Sequence, residues 1–264
     1  MTTTTTAAPT GTVRPRLSGF TGLGPLTRSE LRLFLRDRVG AVATLLFPTV
    51  LLVVLGLIPA FREPIGPGGP RLIDVYAPIM VAMVLAVSAV QALPAMVATY
   101  REQGVLRRMR TTPVRPQTLL LAITSTMLAV TLASTILVLV VARLAFGVPL
   151  PQNPLAYLVA LVLLGAAVYG LGLLVAAVAP TGRTGNAIGT VLFFPLMFFG
   201  GLWLPRDVMP AVLRTISDWT PLGAGAGALQ AAAAGSWPQL IHLVVLVGWA
   251  VLTGVAATRL FRWE

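Results

Sequence analysis

The chain has 264 residues, of which 56% are hydrophobic and only 10% charged, with a mean hydropathy of +0.88. A soluble domain of this length carries roughly a quarter charged residues, so the shortfall and the repeated apolar runs of about 20 residues point to a polytopic membrane protein. The formal net charge of +11 rests on 19 arginines with no lysine and no cysteine, which excludes a complete P-loop, a Schiff-base lysine, a disulfide and a thiolate metal site.

Residues 1–25 are rich in Thr, Pro and Gly and read as a disordered cytoplasmic tail, without the basic start and apolar core of a secretory signal. Residues 26–264 read as one transmembrane domain. It opens on an amphipathic interfacial helix, in which Thr27-Arg28-Ser29-Glu30 has the spacing of a capping box, with Leu26 and Leu31 at the positions of a hydrophobic staple. Beyond that start Leu31, Phe34 and Leu35 fall on one face, and Arg28, Arg32 and Arg36 repeat on another, the pattern of a helix lying flat at a membrane surface.

Six spans are expected, at about 39–59, 73–99, 117–142, 155–179, 187–204 and 236–258. Pro48, Pro78, Pro94 and Pro195 lie inside them, as membrane helices tolerate when neighbours re-satisfy the freed carbonyls. In the fourth span Gly165, Ala166, Gly170 and Gly172 form a small-residue surface suited to close helix approach. The stretch from Pro205 to Gly235 is apolar but cut by prolines and glycines, and reads as short re-entrant helices between spans five and six.

Six spans put both termini on one side. Fourteen arginines share that side and five lie on the other, so the positive-inside bias places both termini in the cytoplasm, together with the hairpin from Tyr100 to Pro116 and Arg183. Arginines beside apolar runs set topology, and nucleic-acid binding is not expected. Of the eight acids (Glu30, Asp37, Glu63, Asp74, Glu102, Asp207, Asp218 and Glu264), none falls mid-span, which counts against a proton-driven antiporter. His242 is the only histidine, open between a functional role and a polar group satisfied at an interface. Paired metal-binding histidines and a Gly-x-Ser-x-Gly elbow are absent, so catalysis by the chain alone is not expected.

The Tyr100–Pro116 hairpin carries five arginines and one glutamate between two apolar runs. Val105, Leu106 and Met109 make an apolar stripe, flanked by Arg101, Arg107, Arg108 and Arg110. Gly104 allows a bend or a close neighbour, and Pro113 pushes Thr112 out of helical geometry. Two readings stand: an interfacial helix binding anionic lipid, or a docking helix for a soluble partner.

Glu102-x-Gly104-x-Leu106-Arg107-Arg108, followed by Thr112-Pro113-Val114, resembles the first cytoplasmic loop of ABC-2 type permeases, close to their daunorubicin-resistance-like drug-exporting branch. Residues 26–38 are similar to that family's connecting helix. Pro195…Gly200-Gly201-Leu202-Trp203-Leu204-Pro205…Met209-Pro210…Pro221 matches its pattern before the last span. The resemblance implies a permease subunit of the bacterial inner membrane, paired with a second copy as a homodimer and with two copies of a separate ATPase that holds ATP and Mg. It implies export of hydrophobic or amphiphilic small molecules such as drugs, antibiotics or lipid-like compounds. Export of polysaccharide or lipid-linked glycan, and ATP-independent secondary transport, are the alternatives. It also implies that Arg101, Glu102, Gly104, Val105, Leu106, Arg107, Arg108, Met109, Arg110, Thr112 and Pro113 couple to the ATPase, with Thr27–Arg36 as the connecting helix. The turn at Arg183 carries too little charge for a clear second contact. Phe193, Phe194, Phe198 and Phe199 either line a substrate path or face lipid and neighbouring helices.

Overall fold

The computed structural model describes residues 23–66, 68–105 and 116–260, without side-chain detail at Pro116 and Asp207. Ten α-helices account for most of them. α1 (Leu23–Arg36) and α2 (Arg38–Leu57) are broken at Asp37, whose carboxylate accepts from the Gly40 amide at 3.1 Å and caps α2. α3 (Leu72–Ala86) runs through a π-helical turn at Val87–Ala92 into α4 (Leu93–Glu102). α5 (Pro116–Phe146), α6 (Pro154–Val178) and α7 (Gly182–Phe199) follow, then the short α8 (Ala211–Trp219) and α9 (Pro221–Ala233), and finally α10 (Leu240–Leu260).

Five helical stretches are long and apolar enough to cross a membrane: α2, the continuous 72–102 stretch, α5, α6 and α10. The expected fifth span exists as a helix, α7, but it begins at Gly182 with the polar run Gly-Arg-Thr-Gly-Asn and does not join those five. The 72–102 stretch is the centre of the bundle: 78% of its most apolar window is buried, against 50% or less for the other four. The apolar residues facing outward on α2 (Val42, Val50, Val54) and α10 (Val244, Val251, Leu252) give those helices a lipid-compatible side.

Polar side chains tie the spans together in the way membrane bundles favour. The Thr131 and Tyr169 hydroxyls lie 2.8 Å apart between α5 and α6, and Ser134 donates to the Leu45 carbonyl at 2.8 Å. Pro94 has no amide for the Val90 carbonyl, and the π turn widens the helix at that point. Two glycines pack on the widened turn. A Cβ at Gly172 would overlap the Ala89 carbonyl, and one at Gly189 the Val90 carbonyl. Gly170 fits equally closely against Thr253 of α10, so the small-residue surface of α6 is a packing device on two sides.

The region between α7 and α10 contains the short helices expected there. α9 is buried along most of its length, against α6, α10 and α3. A polar network pins α8 above it. Arg206 donates to the Asp218 carboxylate and to the Gly223 carbonyl, and His242 Nε2 lies 3.1 Å from Asp218 Oδ1. Ser217 donates to the Phe199 carbonyl at 2.6 Å, and Trp249 to the Trp219 carbonyl at 2.9 Å.

The capping box at Thr27 does not form. The helix is already under way at Leu23, so Thr27 is an interior residue whose hydroxyl donates to the Leu23 carbonyl at 2.9 Å. Glu30 is thereby released from the backbone and turns inward.

Candidate coupling site at the hairpin

The end of α4, α1 and the turn between α6 and α7 meet at one corner. Glu30 on α1 is only 4% exposed and accepts a 2.7 Å hydrogen bond from the Tyr100 hydroxyl near the end of α4. Burial raises the Glu30 carboxyl above its usual range, and the Tyr100 bond opposes part of that rise. The contact joins residues 70 apart in sequence and fixes the inward face of α1. Leu31 and Phe34 are half-buried beside Glu30, while Arg28, Arg32, Arg36 and also Leu35 stay exposed. Leu35 therefore does not share the packed face with Leu31 and Phe34. The other side of α1 lies along α5, where the Thr126 hydroxyl donates to the Thr27 carbonyl at 3.3 Å.

The next two residues of α4 reach across to a different part of the chain. Arg101 donates to the carbonyls of Ala176 and Ala179, at 2.9 and 2.7 Å, at the C-terminal end of α6. Glu102 accepts from the Gly182 amide at 3.1 Å, at the N-terminal end of α7. Each charge has the sign its helix end favours, a cation on free carbonyls and an anion on free amides. Adjacent residues of opposite charge thus clasp the α6–α7 turn from both sides.

Gly104 closes α4. Its φ of +68° is a left-handed conformation, its amide donates to the Arg101 carbonyl at 3.0 Å, and no atom of the described residues lies within 4 Å of where a Cβ would stand. The positive φ alone accounts for glycine at this bend. Val105 packs partly into the core. Leu106, Arg107, Arg108, Met109, Arg110, Thr112 and Pro113 lie outside the described residues.

A cavity of about 560 Å³ opens beneath the α1–α2 elbow. Asp37, Thr44, Gln91, Thr99, Tyr100 and Asn186 supply its polar lining, and Leu33, Phe34, Met96 and Met127 part of its apolar lining. Gln91 belongs to the π turn. No pattern in the sequence marks this cavity, because its walls come from four separated stretches. Phe193, Phe194, Phe198 and Phe199, left open between a substrate path and lipid or helix packing, line neither this cavity nor the other large one. Phe193 is buried in the core, and Phe194 is exposed and stacked on Trp203 at 5.9 Å between ring centroids. Phe198 and Phe199 pack edge to face at 5.3 Å.

The ABC-2 type transporter family model matches residues 22–233, which takes in the corner, the cavity beneath the elbow and every described helix but α10. YvfS of Bacillus subtilis (strain 168), which carries the assignment of transport permease, is 32% identical over 65 residues, or 24% of this chain and 26% of that protein. The matched segment thus spans about a quarter of that relative's length.

Proposed function

Since the chain belongs to the ABC-2 type transporter family and is a multi-pass membrane protein, in a bacterium one of the inner membrane, we propose that it is the permease half of an ATP-driven exporter. Two copies of a separate ATPase, which bind ATP and Mg, drive two copies of this chain. The cargo is a hydrophobic or amphiphilic small molecule, moved outward. On this reading α7 is the sixth crossing: its 18 residues rise about 27 Å, near the ~30 Å of a hydrocarbon core, with the polar start at the cytoplasmic interface. Both termini then face the cytoplasm, and α8 and α9 dip back from the outer side.

The observation that carries the proposal is the clasp. Three elements next to the charged hairpin are joined by Glu30–Tyr100, Arg101–Ala179 and Glu102–Gly182, so a push on the hairpin reaches α1, α6 and α7 together. The cavity beneath the elbow lies against two of these elements, α1 and α7, and against α4 itself, where such a push would reshape a binding space of drug-like size. The test is co-reconstitution with the ATPase and a panel of dyes and antibiotics. Glu102→Gln with Gly104→Ala should leave ATP hydrolysis in place and lower ATP-dependent transport by tenfold or more. Full transport by that double variant would sink the coupling role. Transport that follows a proton gradient without the ATPase would sink the whole reading.

A further inference from the structure

α10 is the most outward-facing of the five apolar spans, with 28% of its most apolar window buried. Its outer side is grooved. Near the middle of the helix a groove of about 340 Å³ lies between Trp219 and Trp249, lined also by Val244, Val245, Gly248 and Leu252. Leu252 belongs as well to a second groove, of about 470 Å³, which continues through Val255 and Ala256 to Arg259. The two grooves therefore run on from one another along α10. Arg259 is the one charged side chain among the described residues that line them.

The groove is held open at its inner end. Trp249 Nε1 donates to the Trp219 carbonyl at 2.9 Å, which fixes the two aromatic walls against each other. Glycine is less favourable than alanine inside a helix, yet Gly248 has no positive φ and no atom of the described residues within 4 Å of where a Cβ would stand. What its missing side chain leaves is open groove. On the outward side of a membrane-spanning helix, the solvent that fills an apolar groove is lipid chain.

Arg259 decides which lipid. It is exposed in the last turn of α10 and forms no ion pair among the described residues. A guanidinium offers a fork of donors that matches a phosphate, and it favours a lipid with net negative charge over a zwitterionic one. The spacing also fits. Arg259 and Gly248 are eleven residues apart on one helix, a rise of about 16 Å and close to half of the ~30 Å hydrocarbon core. A phosphate at Arg259 thus puts the far end of an acyl chain at Gly248, between the tryptophans.

We infer that this side of α10 holds one anionic phospholipid of the leaflet beside its C-terminal end, with the phosphate on Arg259 and an acyl chain along Val255 and Leu252 to Gly248. The lipid is a resident of the fold and not cargo, because the groove is on the outer surface, away from the cavity beneath the elbow. The site requires only that α10 cross the membrane, so it stands or falls separately from the ATPase reading.

The test is native mass spectrometry of the full chain in mild detergent, titrated with dioleoyl phosphatidylglycerol or dioleoyl phosphatidylcholine. The native chain should retain one phosphatidylglycerol about fivefold more tightly than phosphatidylcholine, the worth of one basic residue facing an anionic lipid, and Arg259→Gln should abolish that preference. Gly248→Leu fills the far end of the groove. It should weaken retention of the dioleoyl lipid and leave dihexanoyl phosphatidylglycerol, too short to reach Gly248, unaffected. Equal retention of the two dioleoyl lipids, a preference that survives Arg259→Gln, or displacement of the lipid by excess glycerol phosphate would overturn the inference. So would a Gly248→Leu variant that unfolds at lower temperature in phosphatidylcholine nanodiscs, which would show the space to be filled by protein. A changed monomer–dimer ratio in that variant with lipid retention intact would also overturn it, by making the groove a contact between copies.

Discussion

The two ends of the molecule both use arginine against helix ends, but to different depth. At the hairpin end Arg101 is half-buried and Glu102 exposed, and they meet backbone groups at the mouth of a turn. At the far end Arg206 is 7% exposed and His242 5%, and they converge on one carboxylate, Asp218. A buried ion pair is hard to open one partner at a time, because the group left behind stays desolvated. A charge on an exposed helix end can let go and be replaced by water at little cost. The far end is therefore built to hold its shape, and the hairpin end to be moved.

The largest effect that sharpens this contrast is expected from Arg206→Ala. It leaves Asp218 and the Gly223 carbonyl without their guanidinium, and should destabilise the chain by about 3–5 kcal/mol, as broken buried pairs do. Thermal unfolding in detergent, followed by the five tryptophans, measures it. If Arg206→Ala costs no more than Glu102→Gln in that assay, the distinction between the two ends fails.

A smaller loss is expected from Gly104→Ala. No atom of the described residues stands in the way of the new methyl group, so the cost is that of the left-handed backbone, about 1–2 kcal/mol. Gly104→Asn, which tolerates that conformation better, should recover part of the stability. Glu102→Gln should cost less still, about 0.3–1 kcal/mol, the usual worth of a charge at an exposed helix end. Its effect on transport with the ATPase should far exceed that figure if the clasp transmits motion.

These features differ in how far a single sequence exposes them. Gly172 was readable as a close-approach residue, since small residues in an apolar run signal helix contact, though which carbonyl it meets was not. The apolar runs located five spanning stretches to within a few residues, because hydropathy is a local property. Gly104 left a bend and a neighbour both open, and the positive φ shows the bend. The clasp was invisible: Arg101 and its acceptors are 75 and 78 residues apart, Glu102 and Gly182 are 80 apart, and no periodicity links them. It also draws in the α6–α7 turn, which is poor in charge of its own, because the charges that hold it come from α4. Glu30 was misread for a related reason. Thr-x-x-Glu has capping spacing wherever it occurs, and only the start of the helix at or before Leu23 shows that the motif is interior.

Glu30 also yields the subtlest test. Its carboxyl titrates above the usual range because burial disfavours the charged form, so the folded protein holds this proton to higher pH than the unfolded chain does. Between the ordinary carboxyl value and the raised one, the folded state binds more protons than the unfolded state. The contribution of Glu30 to stability is thus fully present below the ordinary value and is lost as pH rises through the raised one. Glu30→Gln removes that dependence and keeps an acceptor for Tyr100. The variant should show a flatter stability–pH curve in the weakly acidic range, and near pH 7 it should match or slightly exceed the native chain. Tyr100→Phe should act in the opposite direction, because it deletes the bond that holds the carboxylate ionised, and the slope should then steepen and extend to higher pH. Parallel curves for all three proteins would mean that Glu30 is not buried at this corner, and α1 would then have no polar link to the end of α4.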